Sequence, residues 1–423
     1  MPSEIESRLI DVLKHEVKPA LGVTEAAAVA LAAACAYRAV GGEVIGIEVE
    51  ADPGLYKNGV SVMVPGTDQQ GSPFAAAIGA FGGVPELELE VLRDITPAQV
   101  ESAKKLVASG RVSVGIATDT VGIHVDATVR TDKGTGRALI KGTHDNVVLV
   151  EAEGKAVRQE QQREQAKHPT LDGLKFADLF KFASTVEADD IRFLQEAADV
   201  NRHLAQKGLD GRHGAELALE LRSLVERGII SDDLFAEVEI MVAAACDARM
   251  GGVPAAAMSV AGSGSHGITA VLPLDTVATR LGIGQDMLFR AIALSCLTTV
   301  YIKSFSGRLS AFCGCAVAAA TGAAAGLVLL LGGDARQAGY AIRNISADVT
   351  GIICDGANFG CALKISTGAR SALRAAYMAL DNQVVPSPSG IAYDDVDRTI
   401  VNMGRIASPG MEQTNHVILD LMR

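Results

Sequence analysis

Four of the seven cysteines fall close together in the C-terminal half, at positions 313, 315, 354 and 361, while the others stand at 35, 246 and 296. Thiolates are soft ligands for zinc and iron–sulfur clusters, so this clustering points to metal or catalytic chemistry. Neither a paired C-x-x-C zinc ribbon nor a C-x-x-C-x-x-C ferredoxin run is present. Cys354 and Cys361 flank Gly356 and Gly360, a spacing that predicts a loop wrapped around an ion or cluster. Three thiolates on a cubane cluster leave one iron open, and an open iron is a Lewis acid for a substrate hydroxyl or thiol. Cys35, Cys246 and Cys296 sit in apolar helical contexts and read as packing residues.

A second constellation is Gly262-Ser263-Gly264-Ser265-His266-Gly267. Exposed amides beside short hydroxyls can form an anion-binding nest for a carboxylate or phosphate, and the segment reads as a loop. His266 could work there as an acid–base group or carboxylate partner. Two polar turns add candidates: Lys57-Asn58-Gly59 offers a cation and an amide, and Gly142-Thr143-His144-Asp145-Asn146 precedes a strand. A P-loop and an HExxH motif are absent.

The elements that must position these groups divide into two kinds. Helical spacing of Ile5, Leu9, Ile10 and Leu13 predicts a first helix ended by Pro19, and Thr24 is the expected N-cap of an Ala-rich second helix to Val40. Ile45, Ile47 and Val49 alternate as in a strand, and Gly59–Val64 reads as another. Runs at 112–116, 123–130, 137–141 and 147–151, with a turn at Asp132-Lys133-Gly134, predict an antiparallel sheet. A polar stretch from Gly154 to Pro169 is the expected linker. Beyond Thr170 the pattern is helical almost throughout, including helices at 275–281 and 310–331. The expected fold is therefore α+β, with an α+β domain over 1–165 and an all-helical, cluster-binding domain over 166–423.

Composition narrows the function. The chain has 423 residues, 48% of them hydrophobic, which is enough for substantial cores. A net charge of −12 repels phosphate backbones and anionic lipid surfaces, and the absence of Trp removes one stacking platform for bases. Nucleic acid is not an expected partner. Leu309–Gly333 carries no charge over a span-length stretch, but it is rich in Ala and Gly and reads as a central helix rather than a membrane span. The odd cysteine count, and an opening with no cationic, apolar leader, place the expected location in the cytoplasm.

Taken in order, Lys18-Pro19-Ala20-Leu21-Gly22-Val23-Thr24-Glu25, Lys57-Asn58-Gly59, Asp247-Ala248-Arg249-Met250-Gly251-Gly252, the Gly262–Thr269 segment, Arg308-Leu309-Ser310-Ala311 and Ile353-Cys354-Asp355-Gly356-Ala357 resemble the L-cysteine desulfidase family, related to the α chain of iron–sulfur L-serine dehydratases. The resemblance covers nearly the whole chain. It implies a [4Fe-4S] cluster used for elimination, with Cys313, Cys354 and Cys361 as ligands and Cys315 in reserve for the first position. The open iron would take the β-leaving group while a base removes the Cα proton, giving an enamine that hydrolyses to a 2-oxo acid and ammonia. Cysteine would release sulfide and serine water. Lys57, Asn58, Asn146, Ser263, Gly264 and Ser265 are the implied substrate-binding residues, and Glu25, His266 and Lys303 the candidate catalytic ones.

One position departs from the resemblance. Desulfidases usually read Leu-Gly-Cys-Thr-Glu-Pro where this chain has Leu21-Gly22-Val23-Thr24-Glu25-Ala26. Val can neither ligate a metal nor carry a proton, so a shifted substrate or a non-catalytic homologue stays open beside the lyase. A zinc-dependent enzyme is a third possibility. A small amino acid and a second copy of the chain are the expected partners.

Overall fold

The computed structural model describes residues 3–117, 120, 122–159 and 169–422. Helix α1 (Glu4–Glu16) is held by a capping box between Ser3 and Glu6 and buries Leu9, Ile10, Val12 and Leu13. Strand β1 (Val17–Leu21) follows, then helix α2 (Thr24–Val40). The N-cap of α2 is Val23, not Thr24. The Thr24 hydroxyl is drawn away by tertiary partners and donates to the carbonyl of Gly262 (2.9 Å) and to Glu25 Oε2 (3.0 Å).

Strand β2 (Val44–Ala51) leads into α3 (Pro53–Gly59), and the strand expected over Gly59–Val64 does not form, because its first residue ends α3 and a turn follows. Buried Asp52 caps α3, accepting from the amides of Gly54 and Leu55, both at 3.0 Å. Of the expected strand, only Met63 pairs, in a lone bridge to Gln70. Helices α4 (Ser72–Gly82) and α5 (Pro97–Ala108) precede strands β3 (Val112–Ile116), β4 (His124–Thr131), β5 (Gly134–Lys141), β6 (Val147–Ala152) and β7 (Lys155–Gln159). The expected linker thus begins as strand β7, and residues 160–168 lie outside the described residues. The sheet order is β3-β2-β4-β5-β6-β7; every pair is antiparallel except β2–β3, which run parallel.

The alanines of α2 have a packing reason. The helix is wedged between sheet and α4, so that a Cβ at Gly136 of β5 would stand 1.9 Å from the carbonyl oxygen of Ala36, and one at Gly79 of α4 would stand 2.3 Å from that of Ala30. Backbones this close admit only small side chains.

The helical layer comprises α6 (Phe176–Thr185), α7 (Leu194–Leu209), α8 (Leu217–Glu226), α9 (Leu234–Met250), α10 (Gly264–Leu281), α11 (Gln285–Ser306), α12 (Ala320–Leu330), α13 (Ala335–Val349), α14 (Cys361–Leu380), α15 (Val396–Arg405) and α16 (Glu412–Leu421). The same close packing recurs in it: a Cβ at Gly322 would meet the carbonyl of Ser295 at 2.3 Å. One strand interrupts the helices. β8 (Ala256–Val260) pairs antiparallel with β1 in the register Val17↔Val260 to Leu21↔Ala256. Arg8 adds hydrogen bonds from Nε to the carbonyl of Thr170 (2.7 Å) and from Nη2 to that of Asp172 (2.8 Å). Residues 3–21 are therefore built into the helical layer.

Among the described residues one helix, α11, is long and apolar enough to cross a membrane, and it is mostly buried inside the molecule. The uncharged stretch from Leu309 is an extended segment to Cys313, a π-helical turn over Gly314–Ala319 and then buried α12. The single long helix expected there is broken at the cysteines.

Candidate active site

The four clustered thiols are brought together by backbone pairing. Phe312 and Ile353 form an antiparallel bridge, with the Cys313 amide donating to Ile352 (3.0 Å) and the Cys354 amide to Ala311 (2.6 Å). Cys361 is not in a loop with Cys354, as expected, but is the first residue of α14. The turn that starts this helix is fixed by the Cys361 amide donating to Asn358 (3.0 Å) and by an ion pair between Asp355 and Lys364.

The thiols perturb one another. A hydrogen bond from the Cys315 thiol holds Cys313 down to about 7 against its burial. The same bond, with burial, pushes Cys315 well up. Burial raises Cys354, opposed by the Lys57 charge, and pushes Cys361 up to about 12. As the side chains stand, no three His, Cys, Asp or Glu among the described residues are close enough to hold an ion. The donor set nevertheless fits an iron–sulfur cluster in its chemistry: thiols only, with the charges of Lys57, Lys303 and Lys364 acting on them. Cys246, read from sequence as packing, is buried, and burial, with the nearby Cys361, raises its thiol well above the ordinary value.

Lys303, on α11, is buried and makes no hydrogen bond to a described residue. Burial pulls its ammonium down to about 8, while nearby Cys315, Cys354 and Cys313 oppose that shift. His266 is also buried, and burial, with the Lys303 charge, holds it down to about 3, so it is neutral. Its Nδ1–H then donates to the carbonyl of Val260 (3.0 Å), and Nε2 faces Gly314 between the first two cysteines.

The Gly/Ser segment is a helix start rather than a free loop. Ala261 and Gly262 turn the chain at positive φ, Ser263 and Val260 exchange backbone hydrogen bonds at 3.1 Å, and α10 begins at Gly264. The string Gly262–Gly267 has the spacing of a dinucleotide fingerprint between strand and helix. Its strand, however, lies in a two-stranded antiparallel sheet, not a βαβ unit. The glycines serve packing: a Cβ at Gly264 would stand 2.6 Å from Arg249 Nε, and one at Gly267 would stand 1.7 Å from the Met258 carbonyl. Ser265 Oγ accepts from Arg249 Nη1 (2.8 Å), and Arg249 Nε donates to the Gly22 carbonyl (3.1 Å). Ser263 makes no side-chain cap, which leaves its hydroxyl uncommitted at the helix start.

Three candidates from the N-terminal half separate. Lys57 is not free to hold a carboxylate, because its ammonium donates to the carbonyls of Ser310 (3.1 Å) and Cys354 (3.1 Å) and to Asn415 Oδ1 (2.8 Å). It clamps the cysteine segments to α3 and α16. Asn146 is spent closing its own turn, donating to the Lys141 carbonyl (2.8 Å). Asn58 donates to Glu25 Oε1 (2.7 Å). A residue missed as a candidate joins them: His144, 3% exposed, has Nε2 4.0 Å from Glu25 Oε1 and no hydrogen-bond partner there. A Cβ at Gly262 would stand 3.4 Å from His144 Nδ1 and 3.2 Å from Arg308 Nη1, which links Glu25 and His144 to the start of α10. Arg308 also pairs with Glu16 at 2.7 Å.

A cleft of about 700 Å³ lies elsewhere, lined by Gly66, Asp68, Glu101, His213, Gly252 and Pro254. It holds none of the candidate residues.

The family profile described as serine dehydratase alpha chain matches residues 86–420. The chain belongs to the serine dehydratase alpha chain family. It is 39% identical to a UPF0597 protein of Clostridium botulinum (strain Hall) over 99% of this chain and 98% of that one. A Bacteroides fragilis UPF0597 protein is 40% identical over 100% and 99% of the two chains, and one from Desulfatibacillum aliphaticivorans 38% over 97% of each. Within this serine dehydratase alpha chain relative, the thiols, Lys303, His266 and His144 lie inside the matched segment. Glu25, Lys57 and Asn58 lie before it, in a part shared with the full-length relatives.

Proposed function

We propose that the protein is an iron–sulfur-dependent lyase that eliminates the β-substituent of a small L-amino acid, in the manner of a cysteine desulfidase, yielding a 2-oxo acid, ammonia and sulfide. The observation that carries this reading is the convergence of three thiols, Cys313, Cys315 and Cys354, across the Phe312–Ile353 bridge, on a buried lysine that has no carboxylate partner among the described residues. Cys313, Cys354 and Cys361 would hold the cluster. When bound, a [4Fe-4S] group with one open iron supplies Lewis acidity for the leaving group.

The chain's own residues account for the rest. Lys303, with its ammonium pulled down to about 8, has a free-amine fraction near neutral pH and suits a base for the Cα proton. His266 is oriented by the Val260 carbonyl, so that its unprotonated Nε2 is presented as a hydrogen-bond acceptor. Arg308, beside the amides at the start of α10, suits the substrate carboxylate, which would share or displace the Glu16 carboxylate it pairs with now.

L-Serine is the second substrate to weigh, with water as leaving group, because the family is that of the serine dehydratase alpha chain and Val23 stands where desulfidases carry Cys. Anaerobic purification is expected to give a brown protein containing iron and acid-labile sulfide, and Cys354→Ala to lose both. That preparation, incubated with L-cysteine and L-serine, is expected to form 2-oxo acid from at least one, and Lys303→Met to stop turnover while keeping the colour. A colourless protein without iron or sulfide would sink the proposal, and a coloured one inert toward both amino acids would make it a non-catalytic homologue.

A further inference from the structure

Glu25 presents an unusual charge problem. It is 5% exposed, accepts hydrogen bonds from Asn58 Nδ2 (2.7 Å) and Thr24 Oγ1 (3.0 Å), and has no lysine or arginine ion pair among the described residues. Buried carboxylates are normally matched by a cation. Beside it stand two more unfilled polar atoms, also buried and also without partners: His144 Nε2 and Asn58 Oδ1.

All three groups offer acceptor capacity. Burial keeps His144 neutral, and with its proton on Nδ1 the facing Nε2 is an acceptor. A carboxylate flanked by residues that carry an unpartnered amide oxygen and an unpartnered imidazole nitrogen suits a group with N–H donors and a positive charge. Two acceptors bonded to one tetrahedral ammonium nitrogen at about 2.8 Å lie about 4.6 Å apart; the Glu25 Oε1 to His144 Nε2 separation of 4.0 Å is shorter, so a nitrogen between them would bond both at a narrower angle. Two carboxylate-seeking features, Arg308 and the start of α10, lie on the other side of His144, across Gly262.

We propose that Glu25, Asn58 and His144 form the subsite that receives the α-ammonium group of the amino-acid substrate, opposite a carboxylate subsite made by Arg308 and the first amides of α10. This assignment rests on the lyase reading. It makes these residues the source of discrimination between amino acids and the corresponding hydroxy acids. It also gives the Glu25 carboxylate a binding role rather than that of the base.

The test uses the cluster-loaded, full-length protein under anaerobic conditions and two ligands without a leaving group, L-alanine and L-lactate, which differ only in ammonium against hydroxyl. Calorimetric titration of the wild type is expected to give at least about tenfold tighter binding of L-alanine. In Glu25→Gln and in Asn58→Leu, each checked for a cooperative melt, that preference is expected to fall to within about threefold, with L-lactate affinity little changed. A merely structural role would weaken both ligands together. Equal binding of the two by wild type, or a preference that survives in both variants, overturns the subsite. Turnover of L-cysteine or L-serine by the same preparation separates the failures: turnover without discrimination removes the subsite alone, whereas no turnover and no binding removes the lyase reading with it.

Discussion

Gly314 and His266 touch across the start of the π-helical turn: a Cβ on Gly314 would stand 2.2 Å from the imidazole Nε2. Because the ring is anchored at its other nitrogen by the Val260 carbonyl, it cannot easily swing aside. The glycine between the two cysteines is thus a steric counterpart of the histidine. Neither could be enlarged without moving the thiols.

Gly314→Ala is expected to destabilise the metal-free protein by about 1–3 kcal/mol through overpacking. The cost should shrink by at least about half in a His266→Ala background, since the two changes share one contact. Urea melts of the four proteins of this cycle measure it; an undiminished cost in the double variant would show that the glycine answers to something else.

Lys57→Met removes three hydrogen bonds and leaves the Ser310 and Cys354 carbonyls and Asn415 Oδ1 without their shared donor. The expected loss is about 3 kcal/mol, and Lys57→Arg should not recover it, because a planar guanidinium cannot reproduce three diverging bonds. Denaturant midpoints check this. A variant as stable as wild type would mean that the three acceptors find other donors.

Gly136→Ala sets a methyl group 1.9 Å from the Ala36 carbonyl, where only backbone could yield. Separation of α2 from the sheet should follow, with a loss of about 3 kcal/mol or more and a fall in soluble yield. Gly110, with nothing near its Cβ position but a φ of +71°, is the comparison: Gly110→Asn is expected to cost far less.

Stability should fall on acidification through the histidines. Burial lowers His144 below its ordinary value, and His266 is held down to about 3, so the unfolded chain binds protons that the folded chain refuses. Their contribution is fully present above about pH 6.5 and declines below it, by up to about 1.4 kcal/mol per pH unit for each ring. His144→Gln in the metal-free protein should reduce the slope of unfolding free energy between pH 6 and 5 by up to one proton. An unchanged slope would place the acid sensitivity elsewhere.

Strong periodicity made much of the fold legible. The alternation in β2, β4 and β5, the turn at Asp132-Lys133 and the spacing in α1, α5, α9 and α13 lie where the residues place them. The signals failed where tertiary packing outweighs local preference. β1 and β8 are five residues each, small and interrupted by Pro19, and find their partners across most of the chain. The first half of α10 carries three glycines and serines at its start and Pro273 inside, all helix-averse locally, yet the buried setting between β8 and α9 holds it helical. At the site, cysteine spacing marked the thiols, but no local signal distinguishes Lys57 as a clamp from Lys57 as a ligand. His144 sits in a polar turn whose sequence does not tell that its ring is buried against Glu25.

The β1–β8 pairing bears on how the chain is made. Residues 17–21 have their hydrogen-bond partners at 256–260, so during synthesis they must wait unpaired while the whole stretch between is made. Contacts so distant in sequence slow folding. Since Thr24 and Glu25 follow directly from β1 while His266 follows from β8, the two halves of the site meet only when this ribbon closes. Hydrogen-exchange pulse labelling during refolding is expected to protect the amides of β4 and β5 before those of β1, making the site one of the last parts of the molecule to exist.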